Sequence, residues 1–366
     1  MNAALGLAWL ARETGRDLQH GVRLAGGIAA LWNASPALLR RALGVDAAQS
    51  AALHREIRAS HPERLEREIA DAGQHFVAGD DDRSPPGLRD LFDPPFGLFV
   101  AGALSENLPT LHDRPVIAIV GARRASVEGM SFAEGIAAAL ALRGATVVSG
   151  MARGIDTAAH RGALQAGGPT IAVLGCGADI TYPAANRALH GAIRASGLVA
   201  SEYWPGTRPA PWRFPARNRI VAGICDGVVV IEAGDRSGAL ITADFALELG
   251  RPVLAVPGRP RSPLVAGCHA LIRAGAALCE SVDDVVAEVP HPGWIDAPSD
   301  PPMAPGIGAD VLELLREGPR SCDELTHGLG VAAAAVGAAV AELEIVGAVR
   351  MSGGRVHTTG ARGGRM

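Results

Sequence analysis

Between residues 96 and 289, short apolar runs rich in β-branched residues alternate with stretches of helical spacing. The runs are nearly all apolar, as is typical of parallel strands buried on both faces of a sheet. Parallel strands joined through helices form βαβ units, so the pattern predicts an α/β fold with a doubly wound, mainly parallel sheet. The predicted strands are Val116–Val120, Thr146–Ser149, Thr170–Leu174, Leu198–Ser201, Val228–Ile231 and Val253–Val256.

Other kinds of segment flank this pattern. Residues 1–70 carry only helical apolar spacing, with Ser35 as a predicted cap and Pro36 at the first helical position. After the sheet region, six prolines between residues 290 and 306 predict an extended, stiff linker. The sequence therefore predicts a small helical domain at residues 1–70 and a sheet domain at 71–289. A linker at 290–306, a winged-helix domain at 307–360 and a tail at 361–366 follow.

The C-terminal region has the segment order of a winged helix, which is three helices closed by a β-hairpin. A Ser-Gly-Gly turn separates the two predicted strands, and the Gly- and Arg-rich end predicts a tail without fixed structure. The third helix holds no arginine or lysine, so we expect little readout of duplex DNA by it. The predicted elements are helices Ala309–Glu317, Cys322–Gly328 and Ala332–Val346, and strands Ala348–Met351 and Arg355–Thr358.

All 34 basic residues of the 366-residue chain are arginine. With 38 acidic residues the formal net charge is −4, so any nucleic-acid site must be a local patch. The lack of lysine excludes a P-loop lysine, a Schiff-base lysine and a lysine general base. Cationic contacts to phosphate must come from arginine, whose planar guanidinium can donate two hydrogen bonds to one oxyanion.

Cysteine usage and hydropathy indicate the compartment. The five cysteines are odd in number and never spaced as Cys-x-x-Cys, so we expect no disulfide framework and no zinc site. No cofactor is expected either. Reduced thiols fit a cytoplasmic protein. No uninterrupted apolar stretch approaches the roughly 20 residues of a membrane span, so no membrane association is expected.

Three strand–turn–helix junctions have the composition of anion sites. A helix that starts directly after a strand presents free backbone N–H groups and the positive end of its dipole. Glycine lets a ligand approach the backbone, and arginine or hydroxyl side chains add donors. The candidates are Gly121, Arg123 and Arg124 at the first junction, Ser149, Gly150, Arg153 and Gly154 at the second, and Ser237, Gly238 and Thr242 at the third.

Plainer interpretations of these junctions stay open. The first could be an ordinary turn with solvated arginines. At the second, Asp156 is predicted to be the N-cap of the helix, with His160 one turn later on the same face. The alternative there is a capped helix in which Asp156 and His160 only form a structural hydrogen bond. A dinucleotide site is weakly supported, because the full glycine pattern is missing and no acidic residue is well placed for a ribose.

No acidic residue occurs between Glu202 and Asp226, where four arginines are interleaved with aromatic residues. Arginines neutralise phosphates and aromatic rings stack on unpaired bases, which is the combination that single-stranded nucleic acid requires. A charged loop whose rings fill the core is the alternative. The residues are Trp204, Arg208, Trp212, Arg213, Phe214, Arg217 and Arg219.

The arrangement of the junctions favours a polymer as the ligand. The carboxyl ends of parallel strands meet at one edge of a sheet, so the three junctions would form a continuous track. The sequence has no HExxH motif, no Gly-x-Ser-x-Gly elbow and no carboxylate pair at a spacing that demands acid–base chemistry, so a non-enzymatic role is predicted. Binding and hydrolysis of a nucleotide at the junctions stays a second hypothesis.

Eight segments follow one another in a distinctive order: Ile117–Arg123, Ser149–Asp156 with His160, Thr170–Gly177, Tyr182–Asn186, Ser201–Tyr203, Phe214–Arg219, Ser237–Ala243 and Ala255–Gly258. This ordered series resembles the DNA-processing protein A (DprA/Smf) family over roughly residues 88–280. Ala122 stands where the family usually has serine or threonine, and Ala184 and Ala185 stand where some members have a lysine.

The resemblance implies an extended Rossmann-like domain that binds and protects single-stranded DNA without known catalysis. It further implies a homodimer that loads the RecA recombinase onto incoming DNA in natural transformation, a sterile-alpha-motif-like or helix-hairpin-helix N-terminal domain, and a winged-helix C-terminal domain. By motif, the resemblance puts these residues in or near the phosphate-binding surface: Arg123, Ser149, Gly150, Arg153, Gly154, Arg217, Asn218, Arg219, Ser237, Gly238 and Thr242.

Two other functions compete with this one. The turns also resemble a superfamily that contains cytokinin-activating phosphoribohydrolases, but Ala233–Ala239 lacks their Pro-Gly-Gly-x-Gly-Thr segment with its catalytic glutamate. The other is a protein-interaction adaptor dominated by the winged helix. Against the adaptor, we expect that deletion of residues 307–366 leaves single-strand binding largely intact.

Overall fold

The computed structural model of the protein describes residues 3–105, 113–296, 307–345 and 347–359. The chain divides into two compact units, Met1–Ile295 and Asp296–Met366. Residues 297–306 of the predicted linker and the predicted tail at 361–366 lie outside the described residues.

The first unit begins with helices that are held by their own apolar core. Leu7, Leu31 and Leu39 are fully buried at its centre. The predicted start at Ser35 and Pro36 is confirmed, because the Ser35 hydroxyl accepts a hydrogen bond from the Leu38 amide at 3.3 Å. The helices are α1 (Ala3–Thr14), α2 (Gln19–Ala25), α3 (Ile28–Trp32), α4 (Pro36–Leu43), α5 (Ala47–Ala59) and α6 (Pro62–Asp71).

A nine-stranded sheet follows. Its strands are β1 (His75–Ala78), β2 (Gly97–Ala101), β3 (Val116–Gly121), β4 (Thr146–Ser149), β5 (Thr170–Val173), β6 (Leu198–Ser201), β7 (Gly227–Ile231), β8 (Val253–Ala255) and β9 (Ala277–Leu278). The strand order is β1-β2-β6-β5-β4-β3-β7-β8-β9. Strands β3 to β9 pair in parallel, and β2 pairs antiparallel with both β1 and β6. The predicted doubly wound, mainly parallel α/β sheet is therefore confirmed.

Helices cover both faces of this sheet. They are α7 (Val127–Leu142), α8 (Ile155–Gln165), α9 (Arg187–Ser196), α10 (Arg213–Ile224), α11 (Gly238–Glu248), α12 (Ala266–Arg273) and α13 (Val282–Glu288). Alternate residues of β3 enter opposite cores, Ala118 with apolar residues of α10 and α11, and Ile117 with those of α7 and α8. Because both faces are covered, the parallel strands are almost wholly apolar.

The N-terminal helices pack against the β2 side of the sheet. Leu5 of α1 and Ile69 of α6 share a buried cluster with Phe99 of β2 and with Trp204. At the other end of the unit, residues after Pro290 stay in contact with it. The Trp294 indole donates to the Val289 carbonyl at 2.7 Å, and the Ile295 amide donates to the carbonyl of Arg143 at 3.1 Å.

The second unit has the predicted order of a winged helix. The helix α15 starts at a capping box in which the Ser321 hydroxyl accepts from the Glu324 amide at 3.1 Å and the Glu324 carboxylate accepts from the Ser321 amide at 2.7 Å. Arg320 forms an isolated bridge with Val356 of the hairpin. The elements are α14 (Ile307–Leu315), α15 (Cys322–Leu329), α16 (Ala333–Ile345), β10 (Val349–Ser352) and β11 (Arg355–Thr358).

Across the described ranges, no single helix is long and apolar enough to cross a membrane. One bent pair, Cys322–Leu329 with Ala333–Glu344, passes the same test of length and composition when its two helices are taken together.

Candidate nucleic-acid interface

The sheet reverses its strand order at β3. From β3 the chain builds β4, β5 and β6 on one side and then returns to place β7 on the other side. Ligands of open α/β sheets bind beyond the carboxyl ends of the strands at such a reversal. Here the turns after β3, β4 and β7 border a cavity of about 540 Å³, which we name the switch-point cavity. Its lining is Val120–Arg124, Gly150, Ala152, Asp156, Phe214, Pro215, Arg217, Asn218, Val221, Gly234, Arg236–Ala239, Thr242 and Leu264.

Four arginines line the switch-point cavity, and none of them has an ion-pair partner in the described part of the chain. Arg123 and Arg124 come from the turn after β3, Arg236 from the turn after β7, and Arg217 from α10. Among the described residues, none of these four has a carboxylate oxygen within 4.0 Å. Of the described residues in the cavity lining, Asp156 is the only acidic one. The cavity therefore carries uncompensated positive charge, which favours a polyanionic ligand.

Arg217 is fixed in the wall of the cavity. It is 4% exposed and donates to the carbonyl of Gly150 at 2.9 Å, to the Asn218 side-chain oxygen at 3.1 Å and to the carbonyl of Val173. A Cβ at position 150 would collide with the guanidinium nitrogens, so any residue other than glycine there would displace the Arg217 side chain. Burial lowers the pKa of Arg217, against the opposing effect of Asp156. A bound anion would restore the stabilisation that this cation loses by leaving water.

The N-terminus of α11 is open to the cavity. Gly238 is exposed, and a Cβ added to it would meet no atom within 4 Å. Ser237 is the N-cap and accepts a hydrogen bond from the Ala239 amide at 3.3 Å. Asn218 donates to the carbonyl of Gly238 at 3.0 Å, which fixes this turn against α10. The first turn of α11 thus offers backbone N–H groups and a positive dipole end to an anion.

The N-terminus of α7 is already satisfied within the chain. The Glu232 carboxylate accepts from the Ser126 amide at 2.7 Å and from the Ser126 hydroxyl. The same hydroxyl accepts from the Gly129 amide at 2.9 Å. An internal carboxylate therefore fills the anion position predicted at this helix start. The first junction faces the cavity through the side chains of Arg123 and Arg124 instead.

The prediction that Asp156 is the N-cap of α8 is wrong. The N-cap is Gly154, whose φ of 77° turns the chain so that the helix begins at Ile155. Asp156 lies in the first turn and accepts from the Ala152 amide at 3.2 Å. Burial raises the pKa of Asp156, although Arg217 opposes this effect. The carboxyl group of Asp156 thus stabilises the turn after β4 from a position in the first turn of α8.

His160 is a structural residue. Its Nδ1 lies 2.7 Å from the Thr170 hydroxyl, which itself donates to the Val147 carbonyl at 2.8 Å. Because the threonine proton is used in that second bond, Nδ1 of the histidine is the donor. Burial, assisted by Arg217, lowers the pKa of His160 to about 3. The alternative interpretation gave His160 a hydrogen bond to Asp156, but its partner is Thr170, and this bond connects α8 to β5.

Two strained residues lie at strand ends beside the cavity. Met151 has a φ of 55° and Glu232 a φ of 50°, and they follow β4 and β7 within two residues. Left-handed backbone is unfavourable for residues with a Cβ and persists where the surrounding structure fixes it, which is common at binding sites.

The structure brings most of the predicted site residues together. Ser149 lies behind the lining, where its hydroxyl donates to the Ile119 carbonyl at 2.6 Å. Arg153 is exposed and, like the N-cap Gly154, stands next to the cavity without lining it. The predicted residues that line the cavity are Gly121, Arg123, Arg124, Gly150, Arg217, Asn218, Ser237, Gly238 and Thr242.

Arg213 and Arg219 line a different cavity. Arg219 donates two hydrogen bonds to the Glu202 carboxylate, at 3.0 and 2.6 Å, and lies 3.5 Å from the Asp93 carboxylate. Its charge is compensated inside the protein, in contrast to that of Arg217 two residues earlier. This ion pair anchors α10 to the segment after β6.

The predicted stacking residues have separate environments. Trp204 is 3% exposed and belongs to the core, as the alternative interpretation held. Phe214 lines the switch-point cavity, stacks on Tyr182 at 5.2 Å and has the guanidinium of Arg123 over its ring at 5.4 Å. Trp212 is 63% exposed.

Sequence reasoning missed Arg236 and Glu232. Arg236 directly precedes Ser237 in the third junction, so its position beside a predicted anion site was a usable signal. Glu232 had no such signal, because its partner Ser126 is 106 residues away.

The fold and the cavity define a class: a Rossmann-like α/β protein with an arginine-rich anion site at the switch point of its sheet, followed by a winged-helix unit. Residues 75–290 match the model of the DNA recombination-mediator protein A family, and residues 296–355 match the DprA winged helix domain. The chain belongs to the DNA-processing protein A (DprA/Smf) family, as its sequence motifs predicted.

Relatives extend this similarity. The chain is 48% identical to the DNA processing protein DprA of Streptococcus pneumoniae over 208 residues, which are 57% of this chain and 72% of that protein. It is 34% identical to the DNA processing protein DprA of Bacillus subtilis over 268 residues, which are 71% of this chain and 89% of that protein.

Solved structures agree. The X-ray structure of DNA processing protein A from Streptococcus pneumoniae superposes with a TM-score of 0.68 at 37% identity and covers 78% of this chain and 98% of that one. DNA processing protein A from Helicobacter pylori, whose structure concerns its single-stranded DNA binding mode, superposes with a TM-score of 0.51 at 29% identity and covers 58% of this chain and 94% of that one.

Proposed function

We propose that this protein binds single-stranded DNA in the switch-point cavity and acts as a recombination mediator without catalysis of its own. One observation carries the proposal: four arginines that pair with no carboxylate in the described ranges converge on one cavity at the strand-order reversal. They are Arg123, Arg124, Arg217 and Arg236. Phosphates would lie against these arginines and the open N-terminus of α11, and Phe214 would contact a base.

Single-stranded rather than duplex DNA is favoured by the local geometry. Phe214 presents an aromatic ring next to Arg123, and an unpaired base can stack on such a ring whereas a paired base cannot. The Helicobacter pylori relative is described by its single-stranded DNA binding mode. In the winged-helix unit, α16 carries no arginine, so it lacks the cations that a recognition helix uses on duplex DNA.

Among the described residues that line the cavity, no carboxylate is free to take part in nucleotide hydrolysis. Asp156, the acidic residue of its lining, is buried and engaged with the Ala152 amide. Glu232 is committed to the N-terminus of α7. Neither carboxylate is free to activate water, which supports a binding function over the phosphoribohydrolase alternative.

We extend the proposal to the protein's partners on the basis of family membership. Two copies would associate and deliver the bound strand to the RecA recombinase in the cytoplasm. All five cysteines are free thiols, which is consistent with a reducing compartment. Sedimentation velocity tests the dimer, and stimulation of RecA filament assembly on DNA coated with single-strand-binding protein tests the delivery.

Fluorescence anisotropy of labelled strands tests the binding function. We expect unrelated single-strand sequences to bind with similar affinity and duplex to bind more weakly. The affinity should fall by more than tenfold between about 50 and 200 mM salt, because arginine–phosphate contacts release counterions. Affinity that does not change with salt, or release of free base from nucleoside monophosphates, would overturn the proposal.

A further inference from the structure

A second cavity lies between the N-terminal helices and the β2 side of the sheet. Its volume is about 470 Å³. Residues 8–19 of the N-terminal region form one wall, and the segments that contain Tyr203, Trp212, Arg213 and Arg219 form the other. We name it the aromatic cavity. The switch-point cavity shares no residue with it.

Helix α10 connects the two cavities. Trp212, Ala216 and Arg219 are spaced four and three residues apart, so they follow one side of the helix and line the aromatic cavity. Phe214 and Asn218 have the same four-residue spacing on another side and line the switch-point cavity. A strand that passes the first turn of α10 can therefore reach both cavities.

Two of the four arginines that line the aromatic cavity are held by carboxylates, whereas Arg16 and Arg213 have none within 4.0 Å among the described residues. Arg219 is paired with Glu202 and Asp93, and Arg12 is paired with Glu68 at 3.0 Å. A phosphate would gain little from arginines that already hold carboxylates. The part of the cavity beside Arg12 and Arg219 therefore suits an uncharged planar group better than an anion.

Aromatic rings and polar atoms without hydrogen-bond partners also lie at the aromatic cavity. The guanidinium of Arg213 lies 5.0 Å from the ring centres of both Tyr203 and Trp212. Among the described residues, the Arg213 Nε and the Asp93 Oδ1 are buried without hydrogen-bond partners. The first is a hydrogen-bond donor and the second an acceptor. The edge of a nucleobase carries both an acceptor and a donor, so it can pair with both atoms.

We propose that the aromatic cavity binds a nucleobase of the same DNA strand whose phosphates lie in the switch-point cavity. The base stacks against Trp212 and Tyr203, and its polar edge meets Arg213 and Asp93. This inference rests on the proposed function, and it gives the N-terminal helices a part in DNA binding.

Photo-crosslinking of the full chain tests this proposal. A strand of about 20 nucleotides that carries 5-iododeoxyuridine is irradiated in complex with the protein, and the crosslinked peptides are sequenced by mass spectrometry. We expect crosslinks to Tyr203 or Trp212 as well as to Phe214. Crosslinks to Phe214 without either of the other two would overturn the inference and leave the proposed function standing. Absence of all binding would instead overturn the proposed function.

A pair of variants provides an independent measurement. Trp212→Ala should weaken binding of the strand at least about fivefold, which corresponds to the loss of one stacked base. Phe92→Ala is the matched control, since Phe92 is an aromatic residue that is 86% exposed and lines neither cavity. Equal affinity of the two variants would contradict the inference.

A free nucleotide is the other source of a base. Deoxynucleoside monophosphates are therefore added as competitors of the crosslink to Trp212 or Tyr203. We expect them to compete only far above the concentration of strand that saturates the protein. Competition at the concentrations at which the strand itself competes would assign the cavity to a free nucleotide and overturn the inference.

Discussion

At the scale of single residues, the hydrogen-bond and ion-pair partners of an arginine indicate whether it has a structural or a ligand-binding role. Arg217 and Arg219 are two residues apart on α10, and both are buried. Arg219 faces two carboxylates, whereas Arg217 faces neutral acceptors at the edge of the switch-point cavity. Arg236 is exposed on the same cavity and has no carboxylate within 4.0 Å among the described residues.

These environments predict opposite effects of two substitutions. Arg219→Ala leaves Glu202, whose side chain is 15% exposed, without its partner and should lower the free energy of unfolding by about 3 kcal/mol. Arg236→Ala should change it by less than about 0.5 kcal/mol, but should weaken DNA binding and reduce the slope of log affinity against log salt by about one. Urea unfolding and anisotropy measure the two effects. Equal destabilisation by both variants would contradict this assignment.

Individual site residues also differ in whether they could be predicted from the sequence. Gly121, Gly150 and Gly238 were predictable as site residues because each follows a recognisable strand or begins a helix after one. The carboxylates that hold Arg219 were not, since Asp93 lies 126 residues away in the chain. Whether an arginine is ion-paired depends on carboxylates that are distant in sequence, and these cannot be identified from the residues around it.

At the scale of helices and strands, the central sheet was the more predictable part. The six predicted strands are present with bounds that differ by at most one residue, because continuous apolar runs are required where both faces are covered. Strands β1, β2 and β9 were not predicted. β9 has two residues, and β2 follows Asp93, Pro94 and Pro95, which read locally as a loop.

The contact between α8 and β5 predicts a pH dependence of stability. His160 has a pKa of about 3 in the folded protein and about 6.5 when unfolded. Between these values the unfolded chain binds more protons, so acidification favours unfolding. The free energy of unfolding should therefore fall below pH 6.5, by up to about 1.4 kcal/mol per pH unit from this residue.

The variant His160→Gln isolates that contribution. It keeps a donor for Thr170 but does not titrate, so its thermal midpoint should depend less steeply on pH between 6.5 and 4 than that of the wild type. Asp156, whose pKa burial raises, acts in the opposite direction but is present in both proteins. Parallel pH profiles of the two proteins would show that His160 is not the responsible group.

At the scale of the whole molecule, the two compact units allow their contributions to be measured separately. The switch-point cavity and the aromatic cavity both belong to the unit Met1–Ile295. A chain that ends at Asp296 should therefore bind single-stranded DNA within about threefold of the full protein, because no proposed contact is lost. Anisotropy of both chains at one salt concentration measures this. Loss of most of the affinity would favour an interface dominated by the winged helix.

The most direct test of the switch-point cavity uses two glycines. An added Cβ meets no atom within 4 Å at Gly238, which begins α11 in the cavity, or at Gly135, which is exposed in α7 outside it. Gly238→Asp and Gly135→Asp add the same charge to the protein. A carboxylate at the start of α11 is compatible with its dipole, so the fold should persist.

The decisive measurement is the anisotropy of a labelled single strand of about 20 nucleotides with these two variants at equal salt. If phosphates bind at the start of α11, Gly238→Asp should weaken binding at least about tenfold through like-charge repulsion. Gly135→Asp should bind as the wild type does. Wild-type affinity of Gly238→Asp, or equal weakening by both variants, would show that the strand does not bind in the switch-point cavity.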